Sequence, residues 1–348
     1  MAETNETRNQ KKKGCGFGCL ALLGLLVAGL VAMGLLLGLL AGLGSMAGSK
    51  FSIGKGRSSN GSLGEDEMPD LEEVWSVGQG DVKVIRIPLT GMIMLDHASP
   101  LNKGTANQAL RAIRRATHDD SVKGLILEID SGGGGVTASD IIYQAVKNFK
   151  AEDEDRVVVT LMGDVAASGA YYVALASDKI LAHPTTITGS IGVIMQGYNV
   201  QGLAEKLGVS DVTIKSGKNK DLLNIFHEVD PEQRAIIQKV VDSSYGRFVS
   251  LVAENRNLPK EKVLPLADGR VFSAPEAVEN KLIDGIGYFE DARRLIAKLL
   301  KEEDVKIYRY EEEIGLLDLF ANPGLGFSSG IQRLIQEKEP RLLYQVQW

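Results

Sequence analysis

From Gly14 to Ser49 the chain carries no charged residue, and Phe17 to Leu43 is almost wholly Leu, Ala, Val, Gly and Met. As a helix, at ~1.5 Å per residue, this run is longer than the ~30 Å hydrocarbon core of a bilayer, so it predicts one transmembrane helix over residues 14–44. A cleaved secretory signal is the alternative, since Lys11 to Lys13 precede the run and small residues Ser45 to Ser49 follow it. The apolar core of such a signal usually spans only ~7–15 residues, which favours the membrane span. Arg8 and Lys11 to Lys13 stand before the span and Lys50, Lys55 and Arg57 after it, a small bias towards a cytoplasmic N-terminal segment 1–13. Within the span Gly34, Gly38 and Gly42 share one helix face, where a second helix could approach closely.

The remaining composition is that of a folded, mildly acidic protein. Across 348 residues, 39 Lys plus Arg face 45 Asp plus Glu, a net charge of −6, which argues against a nucleic-acid partner. The only cysteines, Cys15 and Cys19, sit at the edge of the span, so residues 50–348 contain neither a thiol nucleophile nor a cysteine-based zinc site. Residues 45–80 read as a Gly/Ser-rich and then acidic linker. From residue 81 to 302, short β-branched runs alternate with amphipathic helices, the pattern of βα units around a largely parallel sheet. Strands are expected near 82–89, 123–130, 156–162, 179–182, 191–195 and 211–215. Helices are expected near 105–117, 137–149, 168–177, 200–207, 231–256, 274–280 and 289–301. Residues 303–348 form a C-terminal extension.

Three loops at strand ends could carry chemistry, the place where ligands of open α/β sheets gather. In the first, Ser131 is followed by four glycines, Gly132 to Gly135, whose exposed N–H groups could hold a phosphate or a developing oxyanion. No Gly-Lys-Ser/Thr completes a phosphate loop. In the second, Val165, Ala166, Ala167, Ser168 and Gly169 carry a strand into a helix through small side chains that leave Ser168 unobstructed near helix N-terminal N–H groups. The third, Lys215 to Asp221, places Lys215, Lys218 and Lys220 beside a turn.

A serine nucleophile needs a base. None of the four histidines, His97, His118, His183 and His227, lies in a loop that reads as a triad base. A lysine can serve instead, provided its surroundings lower its pKa from ~10.4 towards ~7–8. The stretch Thr188, Gly189, Ser190, Ile191, Gly192 can supply a hydroxyl partner to such a lysine.

Taken in order and spacing, these segments, together with Tyr171, Tyr172 and the run Asp268, Gly269, Arg270, Val271, resemble the signal peptide peptidase A family of serine–lysine membrane peptidases. That family shares its α/β fold with Clp-type proteases and crotonases. The resemblance covers roughly residues 81 to 300. It implies Ser168 as nucleophile, Lys220 as general base in preference to Lys215 or Lys218, Ser190 as the hydroxyl that orients the lysine, and the N–H groups of Gly134 and Gly169 as the oxyanion hole. It further implies a homo-oligomer in the cell inner (plasma) membrane, a catalytic domain outside the cytoplasm, no cofactor, and substrates that are remnant signal peptides and other unfolded apolar segments. Two departures stand out: Asp130 replaces an asparagine common in the family, and Gly132 replaces a proline. A non-catalytic membrane scaffold that binds peptides in the same groove is the rival from another class, and a crotonase-like acyl-CoA enzyme is the rival reaction.

Overall fold

A computed structural model describes residues 71–95, 105–311 and 343–345. The segment expected to span a membrane, 14–44, and His97 lie outside the described residues. Among the described residues no helix is long and apolar enough to cross a membrane.

The architecture is an α/β sheet built from β1 (Glu72–Val77), β2 (Lys83–Thr90), β3 (Val122–Ser131), β5 (Val157–Ala167), β6 (Lys179–Ala182), β7 (Ile187–Gly189), β8 (Val271–Ser273), β9 (Gly285–Ile286) and β10 (Lys306–Glu311). Their order is β1-β10-β2-β3-β5-β6-β9, with β7 on the far half of β5 and β8 beside β7. Every pairing is parallel except β1 with β10 and β7 with β8. A second, two-stranded antiparallel sheet joins β4 (Gly133–Gly135) to β11 (Leu343–Gln345). The helices are α1 (Thr105–Thr117), α2 (Val136–Ala151), α3 (Gly169–Ala174), α4 (Gln201–Leu207), α5 (Pro231–Arg256), α6 (Lys260–Val263), α7 (Ala274–Glu279) and α8 (Phe289–Leu299).

Strand β3 shows why the sheet is buried on both sides. Its side chains alternate between two cores: Leu125, Leu127 and Ile129 enter the larger one, and Ile126 the smaller. The larger core also takes Ile142, Val146 and Phe149 of α2, Tyr171 and Tyr172 of α3, and Phe248 and Val252 of α5. Ala292 and Ile296 of α8 close the smaller one. A continuous apolar run such as Leu125 to Leu127 is what a parallel strand needs when both faces are covered.

All seven expected helices are present within a few residues, and α1 and α5 start and end where expected. The strands agree less well. No strand forms over 191–195 or 211–215; instead Ile187–Gly189 pairs with β5, and the apolar side chains Val212 and Ile214 stand 84% and 97% exposed. Three further strands come from outside 81–302: β1 and β10 form one flank of the large sheet, with β10 between β1 and β2, and β11 pairs with β4.

Candidate active site

Strand β5 is bent, and the bend creates the site. Its first half pairs with β6 through Met162, and its second half pairs with β7 from Val165 to Ala167. The register against β3 slips between Ile129 and Ser131, where β5 carries extra residues. Asp130 fills this irregularity, its carboxylate accepting the Val165 N–H at 3.1 Å. Thr186 and Thr188 tie β7 to the bent half through hydroxyl bonds to the carbonyls of Gly163 and Ala166, both 2.6 Å.

Ser168 stands at the end of this strand, between β5 and α3, with φ 56° and ψ −118°. Positive φ crowds the Cβ of any residue other than glycine, and such strain collects where a side chain must be presented at a sharp strand-to-helix turn. The residue is 1% exposed. Its N–H donates to the Gly189 carbonyl at 2.8 Å, and its carbonyl accepts the Tyr172 N–H at 2.9 Å. Because Ala167 pairs with Gly189, Ser168 and Ser190 are the next residues on adjoining strands.

Ser190 also has positive φ, 50°, and is buried. Its N–H donates to the Arg270 carbonyl at 2.7 Å. That carbonyl is set by a tight turn in which Asp268 accepts the Arg270 N–H at 3.1 Å and two guanidinium bonds at 2.8 and 2.5 Å. The arginine bonds hold the Asp268 carboxyl down at about 2, well below the usual range. The motif at 268–271 therefore supports the Ser190 turn, a role that residue pattern alone did not reveal.

The glycine strand β4 lies against α3. Ile93 bridges it from one side, donating to the Gly133 carbonyl at 2.9 Å and accepting the Gly135 N–H at 2.8 Å. By the alternation of a strand, the N–H and carbonyl of Gly134 then face the other side, where Tyr344 of β11 pairs with Gly134 in antiparallel register. A side chain at Gly134 would overlap the Ile93 backbone, so only glycine fits. Gly169, as the first residue of α3, has an N–H without an acceptor inside the helix.

Of the residues singled out from sequence, the fold thus brings Ser168, Ser190, Gly134 and Gly169 to one end of the sheet. It does not bring Lys220 to them. Lys220 is exposed on the loop between α4 and α5, and among the described residues its ammonium has neither hydrogen bond nor ion pair. The two neighbouring lysines differ. Lys215 binds both oxygens of Asp221 at 2.7 and 2.9 Å, and Lys218 binds Glu232 at 2.6 Å with Asp230 at 3.6 Å. The hydrogen bond to Glu232 pushes the Lys218 pKa up, the wrong direction for a base. The described histidines point elsewhere: His118 to the Arg114 carbonyl at 2.9 Å, His183 against the Tyr288 ring, and His227 to Asp211 at 3.0 Å. Among the described residues, groups of His, Cys, Asp and Glu that could hold a metal ion are absent.

Residues 150–303 match the model of peptidase family S49, and residues 85–202 match that of the Clp protease family. A protein of Enterococcus faecium named as signal peptide peptidase SppA is 39% identical over 245 residues, covering 70% of this chain and 71% of its own. The chain belongs to the signal peptide peptidase A family, peptidase family S49. A protease of Synechocystis is 42% identical over 217 residues, 62% of this chain and 74% of that one. The chloroplastic serine protease SPPA of Arabidopsis thaliana is 36% identical over 183 residues, 52% of this chain and 27% of the plant protein. As an S49 member the protein is a serine peptidase on a Clp protease-like α/β fold with a mostly parallel sheet.

Proposed function

We propose that the protein is a membrane-anchored serine endopeptidase that works with a Ser168–Lys220 dyad on remnant signal peptides and other unfolded apolar segments. The observation that carries the reading is Ser168 itself: a buried serine held at positive φ on a strand-to-helix turn, flanked by the β4 glycines and the Ser190 turn. In the reaction, neutral Lys220 takes the Ser168 hydroxyl proton as Oγ bonds to the scissile carbonyl carbon. The N–H groups of Gly134 and Gly169 hold the oxyanion, and the lysine hands its proton to the departing amine. Water, giving a proton to the same lysine, then cleaves the acyl-enzyme ester and restores the serine. Ser190 would orient the lysine.

Substrate would bind as an added strand on β4 in place of β11, its scissile carbonyl oxygen meeting the Gly134 N–H. Leu343–Gln345 of the chain's own tail already pairs there in that manner.

Lys220 would come from a neighbouring copy. The lysine loop is exposed and is flanked by unpartnered apolar side chains, among them Tyr198, Leu207, Val212 and Ile214, a concentration that suits burial against a second subunit. Membrane anchoring by residues 14–44 and an active site outside the cytoplasm complete the reading. The experiment is a mixture of S168A and K220A proteins lacking the anchor, under subunit exchange. With the lysine acting across subunits, some interfaces regain both groups and peptide hydrolysis returns; a dead mixture with exchange confirmed rejects the shared site.

A further inference from the structure

The lysine loop carries three ammonium groups within six residues, Lys215, Lys218 and Lys220, and the carboxylates of Asp211, Asp221, Asp230 and Glu232 beside them are each engaged, Glu228 standing exposed. On the loop itself, Asp221 adjoins Lys220 in sequence, yet both of its oxygens are taken by Lys215. From the first turn of α5, Glu232 is taken by Lys218 and by Asn219 at 3.4 Å, while Asp230 caps the helix by accepting the Glu232 N–H at 2.7 Å and lies 3.6 Å from Lys218. At the base of the loop Asp211 accepts from Thr213 at 2.8 Å, Asn224 at 2.9 Å and His227 at 3.0 Å. The other charged groups lining the small cavity beside Lys215 and Asp221 are Glu228 and Asp230, with His227 the remaining titratable one. Asp221 and Glu232 sit below the usual carboxylate range, chiefly through their lysine hydrogen bonds.

An ordinary lysine beside a free carboxylate keeps its proton, which would disable it as a base. We infer that Lys215 and Lys218 are charge-tuning residues for the peptidase reaction: by occupying Asp221, Glu232 and Asp230 they keep these three carboxylates from the Lys220 ammonium. Lys215 has the more direct part, because its partner is the residue bonded to Lys220. Neither touches substrate; each acts through Lys220. This inference rests on the proposed role of Lys220 as base.

The test is the pH dependence of kcat/KM for a fluorogenic peptide, measured on the full-length, assembled protein. K215M frees the Asp221 carboxylate next to Lys220 and removes a cation, so the pH of half-maximal kcat/KM should rise by about 0.5–1 unit, a loss of roughly 3- to 10-fold below the midpoint that high pH recovers. K218M should displace it in the same direction by less. K215R, which keeps the pair, should hold the midpoint near that of the unaltered enzyme. Adding D221N to K215M should bring the midpoint back, and D221N alone should move it down. Exposed ion pairs contribute little to stability, so these variants should fold, which a melting curve checks. A K215M midpoint that does not move, a displacement that D221N leaves in place, or an equal loss at every pH would overturn the inference. Full turnover by K220A would overturn it by a separate route, by removing the base on which it rests.

Discussion

The backbone N–H of Ser168 meets the carbonyl of Gly189 at 2.8 Å, and that one bond registers the proposed nucleophile against the turn that carries Ser190. Gly189 can serve because it has φ 86° and no side chain: a Cβ there would lie 2.5 Å from the Phe272 ring. Gly189→Ala should therefore cost about 2 kcal/mol or more in urea unfolding and reduce kcat more than KM, since the two serines would part. Unchanged stability and kcat would show that the turn tolerates displacement.

Strain at Ser168 predicts an opposition between activity and stability. Both Ser168→Ala and Ser168→Gly should abolish peptide hydrolysis. Glycine alone relieves the positive φ, so the Gly variant should be about 1 kcal/mol more stable than the Ala variant despite glycine's greater freedom in the unfolded chain. Equal melting of the two would mean that this backbone stores no strain.

Arg156 is a buried cation, 4% exposed, that among the described residues makes no close ion pair. Its guanidinium donates to the carbonyls of Thr117, Phe149 and Asp119 at 3.0, 3.3 and 3.1 Å and stacks on the Phe149 ring, tying the ends of α1 and α2 to the start of β5. Arg156→Met should strip the Thr117, Phe149 and Asp119 carbonyls of their guanidinium bonds, Asp119 keeping only the Val122 N–H at 3.0 Å, and cost about 3 kcal/mol, read as a lower urea midpoint. Arg156→Lys should recover only part, because one ammonium cannot reach all three.

Asp119 supplies a pH signature of stability. Burial alone would raise its pKa, but hydrogen bonds from Lys83 at 2.8 Å and from Ser121 at 2.6 and 2.9 Å prevail and bring it to about 2. A depressed carboxyl contributes stability above its unfolded pKa and loses it as pH falls through the folded one. The stability difference between the unaltered protein and Asp119→Asn should hence be flat above about pH 5 and shrink progressively between about 4 and 2. A difference that stays constant down to pH 2 would remove Asp119 from the acid response.

The helices were legible in the sequence because their apolar spacing is long and regular; α5 declares itself through Pro231 after the Asp230 cap and ends at an Asn257 in left-handed conformation. Strands β7 and β8 were not legible, being three residues each and too short for any period to show. Val212 and Ile214 misled for a physical reason: β-branched alternation signals a buried face, and one chain alone offers that face nothing to pack against. For the site, the small residues around Ser168 and the glycine run were legible as turns at strand ends, and the fold places both at one end of the sheet. What no pattern could report is conformation and pairing: the positive φ of Ser168 and Ser190, the Arg270 carbonyl under Ser190, and the carboxylates that take Lys215 and Lys218 but not Lys220.

The central claim is that Ser168 is made nucleophilic by Lys220, and labelling with a fluorophosphonate tests it most directly. Mass spectrometry of the labelled, assembled protein should find the adduct on Ser168, with none in Ser168→Ala and almost none in a folded Lys220→Ala variant. An adduct on a different serine, or labelling of Lys220→Ala at the rate of the unaltered enzyme, would contradict the account.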